Sequence, residues 1–511
     1  MKSHLLILSD DVHVRSRISL AIIVVVVTLS LLATSAHAAI TWDGEGGSSW
    51  WFDPQNWSED QGNGGLGHLP PSTEGLFGPV AEDAQINGSD DSADFNSDSI
   101  VNGADFLIWQ QGNGGAGGLA QGDANDDGLV DGDDLAVWEN QFGPSIPGGG
   151  VSVVYDPDND PFFANAGTFP FPTGSPVAGD TVDGDLIGDY GPQHLYRFYV
   201  SRNTTNSNLV EIKSGDLVIA STTIIGRSGS DASNQNLGMV IQTGGRVRLP
   251  RESLNIGRIE ASGWGNGTYE YRAGTLDVAA IGGDGIRLST GTVSGGGTGG
   301  HGRFRMGNPT TGGYVRTFDF ETSSDGLDGD GILTGVGISE FIYENGGTRP
   351  IQVTNNLVLS NGLDIDAVGI RSSRLELTLE EAPAVDGFGV PNTLGLFQID
   401  GLITGTGDLG NVFSNSDATD LYEEGDVVSA LFGSTTYNWT ITYTGDITWT
   451  NADDSVINTI TGPTTGNDIV LVGLSSALSG SMVAVPEPSS LVLLCVAGIA
   501  LLAAKRSDRQ L

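Results

Sequence analysis

Gly215-Asp216-Leu217-Val218-Ile219, Gly245-Arg246-Val247-Arg248-Leu249 and Gly274-Thr275-Leu276-Asp277-Val278 are three copies of one phrase, starting 30 and then 29 residues apart. Each is a glycine followed by a short run whose apolar residues fall on alternate positions. Alternation with period two reads as a strand with one buried face, and the leading glycine reads as a turn. A second track keeps step with the first: Ile225-Gly226-Arg227, Ile256-Gly257-Arg258 and Ile286-Arg287, with arginines 31 and 29 residues apart. Short strands recurring near thirty residues are the signature of a coil in a parallel β-solenoid. One such coil cannot bury its own apolar face, whereas three or more stacked coils can. A fibrous or disordered glycine-rich chain would not hold its apolar positions in register. The chain is therefore expected to be mainly β, with a right-handed parallel β-solenoid-like body over residues 147–350.

Outward from this repeat, Val151–Tyr155 and Leu195–Val200 read as further strands. Residues 351–480 contain Leu375–Leu379, Tyr437–Tyr443 and Asp468–Val472, all alternating and separated by turns such as Thr444-Gly445-Asp446. They predict a C-terminal antiparallel β section closing the far end. Residues 39–83 hold Trp42, Trp50, Trp51 and Trp57. A sugar-stacking platform, a protein-binding patch or a cap over the first coil would each use such residues, and a cap is what an open stack of strands requires. The glycine cluster 295–300 lacks the lysine and helix of a phosphate loop and reads as a plain loop.

Between these parts lies a segment of different character, residues 84–146. Asp94-Phe95-Asn96-Ser97-Asp98-Ser99-Ile100-Val101-Asn102-Gly103-Ala104-Asp105 and Asp123-Ala124-Asn125-Asp126-Asp127-Gly128-Leu129-Val130-Asp131-Gly132-Asp133-Asp134 begin 29 residues apart. Both place oxygen side chains at loop positions 1, 3, 5, 9 and 12, and both lead into an apolar run ending in Trp109 or Trp138. That is the ligand spacing of a twelve-residue calcium loop, in which a hard cation takes six to eight oxygens. The candidate calcium ligands are Asp94, Asn96, Asp98, the Ile100 carbonyl, Asn102 and Asp105 in the first loop. In the second they are Asp123, Asn125, Asp127, the Leu129 carbonyl, Asp131 and Asp134. Gly128 suits the sharp turn, whereas Ser99 stands there in the first loop, so the first site is expected to be the weaker.

The closing Asp in place of Glu, and the paired loop-then-helix units without an evident entering helix, resemble the type I dockerin module. The resemblance covers about fifty residues. It implies a small α-helical module that binds calcium as a cofactor and docks on a cohesin-type protein. The two copies differ in the helices after the loops (Phe106-Leu107-Ile108 against Leu135-Ala136-Val137), which argues against symmetric two-way docking.

Residues 1–38 carry Arg15 and Arg17 before the apolar run Ile18–Leu32, then Ala36-His37-Ala38. This reads as a signal peptide cleaved after Ala38. At the other end, residues 485–511 hold Pro486-Glu487-Pro488, an apolar run Leu491–Ala504, and Lys505-Arg506. This tail resembles the PEP-CTERM sorting segment. The resemblance implies an exosortase as processing partner, a transmembrane helix that anchors the chain transiently in the inner membrane, and delivery to the cell surface or extracellular space. The sole cysteine, Cys495, lies in that tail, so the remainder forms no disulfides.

Formal charge is −41, and residues 39–196 contain 27 Asp or Glu with no Lys or Arg. Such a surface repels nucleic acid. His68, His194 and His301 show no metal-ligand spacing, and no Gly-x-Ser-x-Gly elbow marks a nucleophile. The leading expectation is an exported, non-catalytic surface or matrix protein concerned with attachment or assembly. A cohesin-docking component of a polysaccharide-handling complex is the second reading. The third is a β-helix polysaccharide lyase or hydrolase acting on an extracellular polysaccharide, for which Arg227, Arg258 and Arg287 would be candidate bases if they formed one stripe.

Overall fold

The structure is a computed structural model. It describes residues 39–474 apart from 43–48, 52–55, 59–82, 87–92, 97–100, 125–127, 142–151, 160–180, 183–184, 187–193, 196, 203–206, 220, 228–235, 259–264, 279–284, 290–299, 311, 323–334, 361–372, 407–411, 417–419, 450–456 and 462–465. The expected signal peptide with Ala38, and the expected tail with Pro486, Glu487 and Pro488, lie outside the described residues. Among the described residues no helix is long and apolar enough to cross a membrane.

The chain is mainly β, and most of its strands lie in three sheets visited in strict rotation. The second coil shows the rule: Asn208–Ile212 lies in the first face, Asp216–Ile219 in the second and Thr223–Arg227 in the third. Asn236–Gln242, Arg246–Arg248 and Leu254–Ile256 follow, each parallel to the strand one coil earlier. The pattern continues through Gly265–Tyr271, His301–Met306, Val336–Tyr343 and Ser373–Leu379 on the first face. Ser152–Tyr155, His194–Leu195 and Arg197–Arg202 form the coil before it. This is the solenoid-like body read from the glycine phrase.

Alternation explains what lies inside. Leu217, Val247, Leu276, Val315, Ile351 and Phe397 stack in register down the second face, all buried. Rings bridge the faces across the core, with Phe320 and Phe341 each 5.2 Å from Phe397. The corner between the third and first faces is tight. Gly257 sits there at φ +71°, and a Cβ on Gly267 would lie 2.1 Å from the Ile225 carbonyl oxygen. Only glycine admits so close a backbone approach.

The boundary expected at residues 350/351 is corrected. Ile351–Val353, Leu357–Ser360, Ser373–Leu379, Leu394–Ile399 and Ile403–Thr406 continue the parallel coils. Leu375–Leu379 alternates cleanly, but alternation reports a buried face and is blind to the direction of the neighbouring strand. The antiparallel part comes later. Asp468–Gly473 pairs antiparallel with Leu394–Ile399, and Thr435–Trp449 and Val427–Phe432 extend the second face beyond it.

At the other end, Ala39–Trp42 pairs antiparallel with Trp57–Ser58, and Asp83–Ile86 runs parallel to Arg197–Arg202. Trp42, Trp51 and Trp57 are buried, with ring centroids 5.2 Å apart for the first and last and 4.8 Å for Trp51 and Trp57. Trp51 also meets Tyr155 and Phe198 edge-on, and the Trp57 indole donates to the Trp51 carbonyl at 2.7 Å. These three buried rings cover the first coil and present no face to a sugar, while Trp50 is half-buried. The helical segment is spliced between Asp83–Ile86 on the third face and Ser152–Tyr155 on the first. Every coil turns there, and connections such as Thr322 to Val336 are long, so the corner accepts an insertion without breaking a ladder.

Candidate functional site

The inserted segment has its own small core. Helix α1 spans Gly103–Gly112 and helix α2 spans Gly132–Gln141. Phe95 and Ala124 hold position 2 of the two loops, Val101 and Val130 position 8, and all four are buried in one cluster with Ala93 and Trp109. Phe106, Ile108, Leu135, Val137 and Trp138 pack around it. The two copies therefore share a core through equivalent positions.

Each closing carboxylate is buried and does the same work. Asp105 accepts from the Asn102 amide at 2.9 Å and from the Asn96 amide at 3.3 Å. Asp134 accepts from the Asp131 amide and the Ala124 amide, both at 2.7 Å. Asn102 caps α1 through its side chain, which accepts from the Ala104 amide at 2.7 Å. Asn102 and Asp105 thus form a capping box as well as holding loop positions 9 and 12.

Among the other candidate ligands, Asp94 is half-buried, Asn96 exposed and Leu129 exposed. Asp98, Ile100, Asn125 and Asp127 lie outside the described residues. Among the described residues no group of three or more acidic, histidine or cysteine side chains is gathered about a metal position. One atom nevertheless fits a cation. Asp123 is 2 % exposed; its Oδ2 accepts from the Gly128 amide at 3.0 Å, while its Oδ1 is buried with no hydrogen-bond partner among the described residues. A buried carboxylate oxygen left bare costs several kcal/mol in principle unless a cation or donor meets it. No Lys or Arg occurs anywhere in residues 39–196 to do so. Asp123 stands at loop position 1, where a calcium ligand belongs.

The solenoid's charges tell a different story. Every Lys and Arg of residues 39–504 lies between Arg197 and Arg374. On the first face Arg272, Arg303 and Arg305 are tied into ladders across coils. Arg303 meets Glu340 at 2.5 Å and Glu376 at 2.6 Å, and Arg305 meets Glu340 at 3.0 Å and also pairs with Glu270. Arg272 bridges Glu270, Glu344 and Glu380. Burial alone would raise the Glu340 carboxyl, but hydrogen bonds from Thr378, Arg305 and Arg303 hold it below the usual range.

The arginine stripe is corrected. Arg227 lies beside Arg202, while Arg287 stands in register with Asn255, three residues short of Arg258 along the strand, and pairs with Glu321 at 2.8 Å. The sequence spacing near thirty counted Arg287 into a column that the register does not give it. His301 is held below its ordinary value by burial and by the Arg374 and Arg303 guanidiniums, and His194 lies in a first-coil strand. His68 lies outside the described residues. Comparison with known proteins yields no match, whether to protein-family models, to curated proteins or to solved structures.

Proposed function

We propose that the chain is an exported, non-catalytic surface or extracellular-matrix protein, in which a rigid β-solenoid carries a dockerin-like module stiffened by calcium. The observation that carries this reading is the buried Oδ1 of Asp123, without a hydrogen-bond partner among the described residues, at position 1 of a loop whose closing carboxylate, Asp134, is already fixed by two backbone amides. When bound, calcium would supply charge neutralisation there. Asp123 and Asp134 would hold it in the second loop with Asn125, Asp127, Asp131 and the Leu129 carbonyl, and Asp94, Asn96, Asp98, Asn102, Asp105 and the Ile100 carbonyl in the first. Among them, Asp105, Asp123 and Asp134 are held by backbone amides of their own loops.

The solenoid fits a spacer better than a catalyst. Arg272, Arg303 and Arg305 on the first face are engaged with Glu270, Glu340, Glu344, Glu376 and Glu380, and Arg227, Arg258 and Arg287 do not form one stripe. The resemblance of the two ends to a signal peptide and to a PEP-CTERM tail supports export, processing by an exosortase and a transient membrane anchor. A cohesin-type protein or an extracellular polysaccharide would be the partner.

Fractionation of cells producing the full chain tests this reading. The protein is expected in the surface or extracellular fraction and is expected to leave the surface when calcium is chelated. A cytoplasmic protein, or a surface protein indifferent to chelator, would overturn it. Release of reducing sugar or unsaturated uronate from a polysaccharide panel would replace it with the enzymatic reading.

A further inference from the structure

We infer that Trp109 and Trp138 are positioning residues that couple the two loops, each holding the loop of the other repeat. This rests on the calcium-loop reading and deepens it. The Trp109 indole, at the end of the first unit, donates to the Asp131 carbonyl at 2.6 Å. The Trp138 indole, at the matching place in the second, donates to the Asn102 carbonyl at 3.0 Å. Asn102 and Asp131 both occupy position 9 of their loops. The bonds are therefore reciprocal, and each crosses from one repeat to the other.

Position 9 is held from two sides. Its amide donates to the closing carboxylate of its own loop, at 2.9 Å for Asn102 and 2.7 Å for Asp131. Its carbonyl accepts from the partner repeat's indole. Phe106 lies between the two indoles, 5.5 Å from Trp109 and 4.9 Å from Trp138. A further tie joins the turn after α1 to position 8 of the second loop: Gly114 donates to the Val130 carbonyl at 2.7 Å, and Val130 donates to the Gly115 carbonyl at 2.9 Å. An ion that orders one loop fixes its position 9, and through the indole it fixes the other repeat's helix. The second ion then meets a loop whose ordering cost has been reduced, which is positive coupling between two sites.

Calorimetric calcium titration of the full chain tests the inference. One loop is silenced by an isosteric change, Asp123→Asn or Asp94→Asn, and the affinity of the remaining loop is read. With the second loop silenced, Trp138→Phe keeps a ring beside Phe106 but removes the bond to Asn102, and the first loop is expected to weaken by at least about five-fold, the low end of measured couplings. Trp109→Phe, whose bond goes to the silenced loop, is expected to do much less, although Trp109 belongs to the first loop's own helix. With Asp94→Asn the pattern reverses. Indoles that merely packed would weaken their own loop, or both loops alike, and either result overturns the inference. The two mirror-image sets decide independently if one variant melts early in chelator. A wild-type chain that binds no calcium overturns the underlying reading and the coupling together, an outcome distinct from two bound ions with no cross-loop effect.

Discussion

At the level of single residues, two kinds of atom carry the account: backbone atoms that leave no room and carboxylate oxygens that need a partner. Gly267 is of the first kind. Gly267→Ala would drive its Cβ into the Ile225 carbonyl oxygen and the Gly257 amide nitrogen, at 2.1 and 2.5 Å. The expected loss is roughly 1–3 kcal/mol of stability, read as a lower urea midpoint with an unchanged slope. Glu340 is of the second kind. Its folded-state acidity is enhanced, so its contribution is present above the ordinary carboxylate value of 4.5 and is lost as pH falls through the depressed folded value. Glu340→Gln is expected to cost roughly 1.5–3 kcal/mol at neutral pH and to flatten acid unfolding below pH 4.5. A variant as acid-sensitive as the parent would remove Glu340 from the ladder. These residues were unequally legible in the sequence. The loop spacing singled out Asp105, Asp123 and Asp134, which the structure buries, because a loop that folds back on itself repeats within a dozen residues of sequence. The arginines could not be placed, because most of their partners lie one to three coils away and register depends on corner lengths that composition does not report.

Among the elements, the glycine-led phrase was readable for a physical reason. The glycines at 215, 245 and 274 adopt positive φ at one corner, so the sequence displays the corner and the strand that follows it. Strand direction was not readable, which is why the parallel coils running to Thr406 were expected to be antiparallel. The true antiparallel closure is fastened by Asp468, which accepts from the Ile399 amide at 2.8 Å and the Ile447 amide at 2.6 Å. Burial, with the Asp446 and Asp400 carboxylates adding to it against those two amides, pushes its pKa up to about 6. The folded value is raised, so the stability it contributes is complete below the ordinary value of 3.8 and is lost as pH rises through about 6. Hydrogen exchange at Ile399 and Ile447, corrected for the intrinsic rate, is therefore expected to quicken from pH 5 to pH 7, and Asp468→Asn to abolish that change. Exchange independent of pH across this range would contradict the clamp. The tryptophans Trp42, Trp51 and Trp57 belong to this scale too. Trp57→Ala is expected to cost roughly 3–5 kcal/mol and to loosen the first coil, since three buried rings lean on one another.

For the whole molecule, the two hydrophobic clusters divide the labour. One runs continuously from Trp42 to Leu471 through the solenoid, and the other is confined to the inserted loops and helices. Chelator is therefore expected to lower one thermal transition and leave the larger one in place; a single transition that moves as a whole would show the parts to be inseparable. On the proposed reading, the acidic charge of residues 39–196 would make the inserted segment the part of the chain most dependent on a cation. Affinities on the order of 10⁻⁴–10⁻³ M, usual for extracellular calcium modules, would suffice outside a cell. The most direct test is calcium stoichiometry by equilibrium dialysis of the full chain. The account predicts two saturable ions, one in Asp134→Ala, one in Asp105→Ala and none in the double variant. A chain that binds no saturable calcium, or binds it equally well without Asp105 and Asp134, would contradict the central claim.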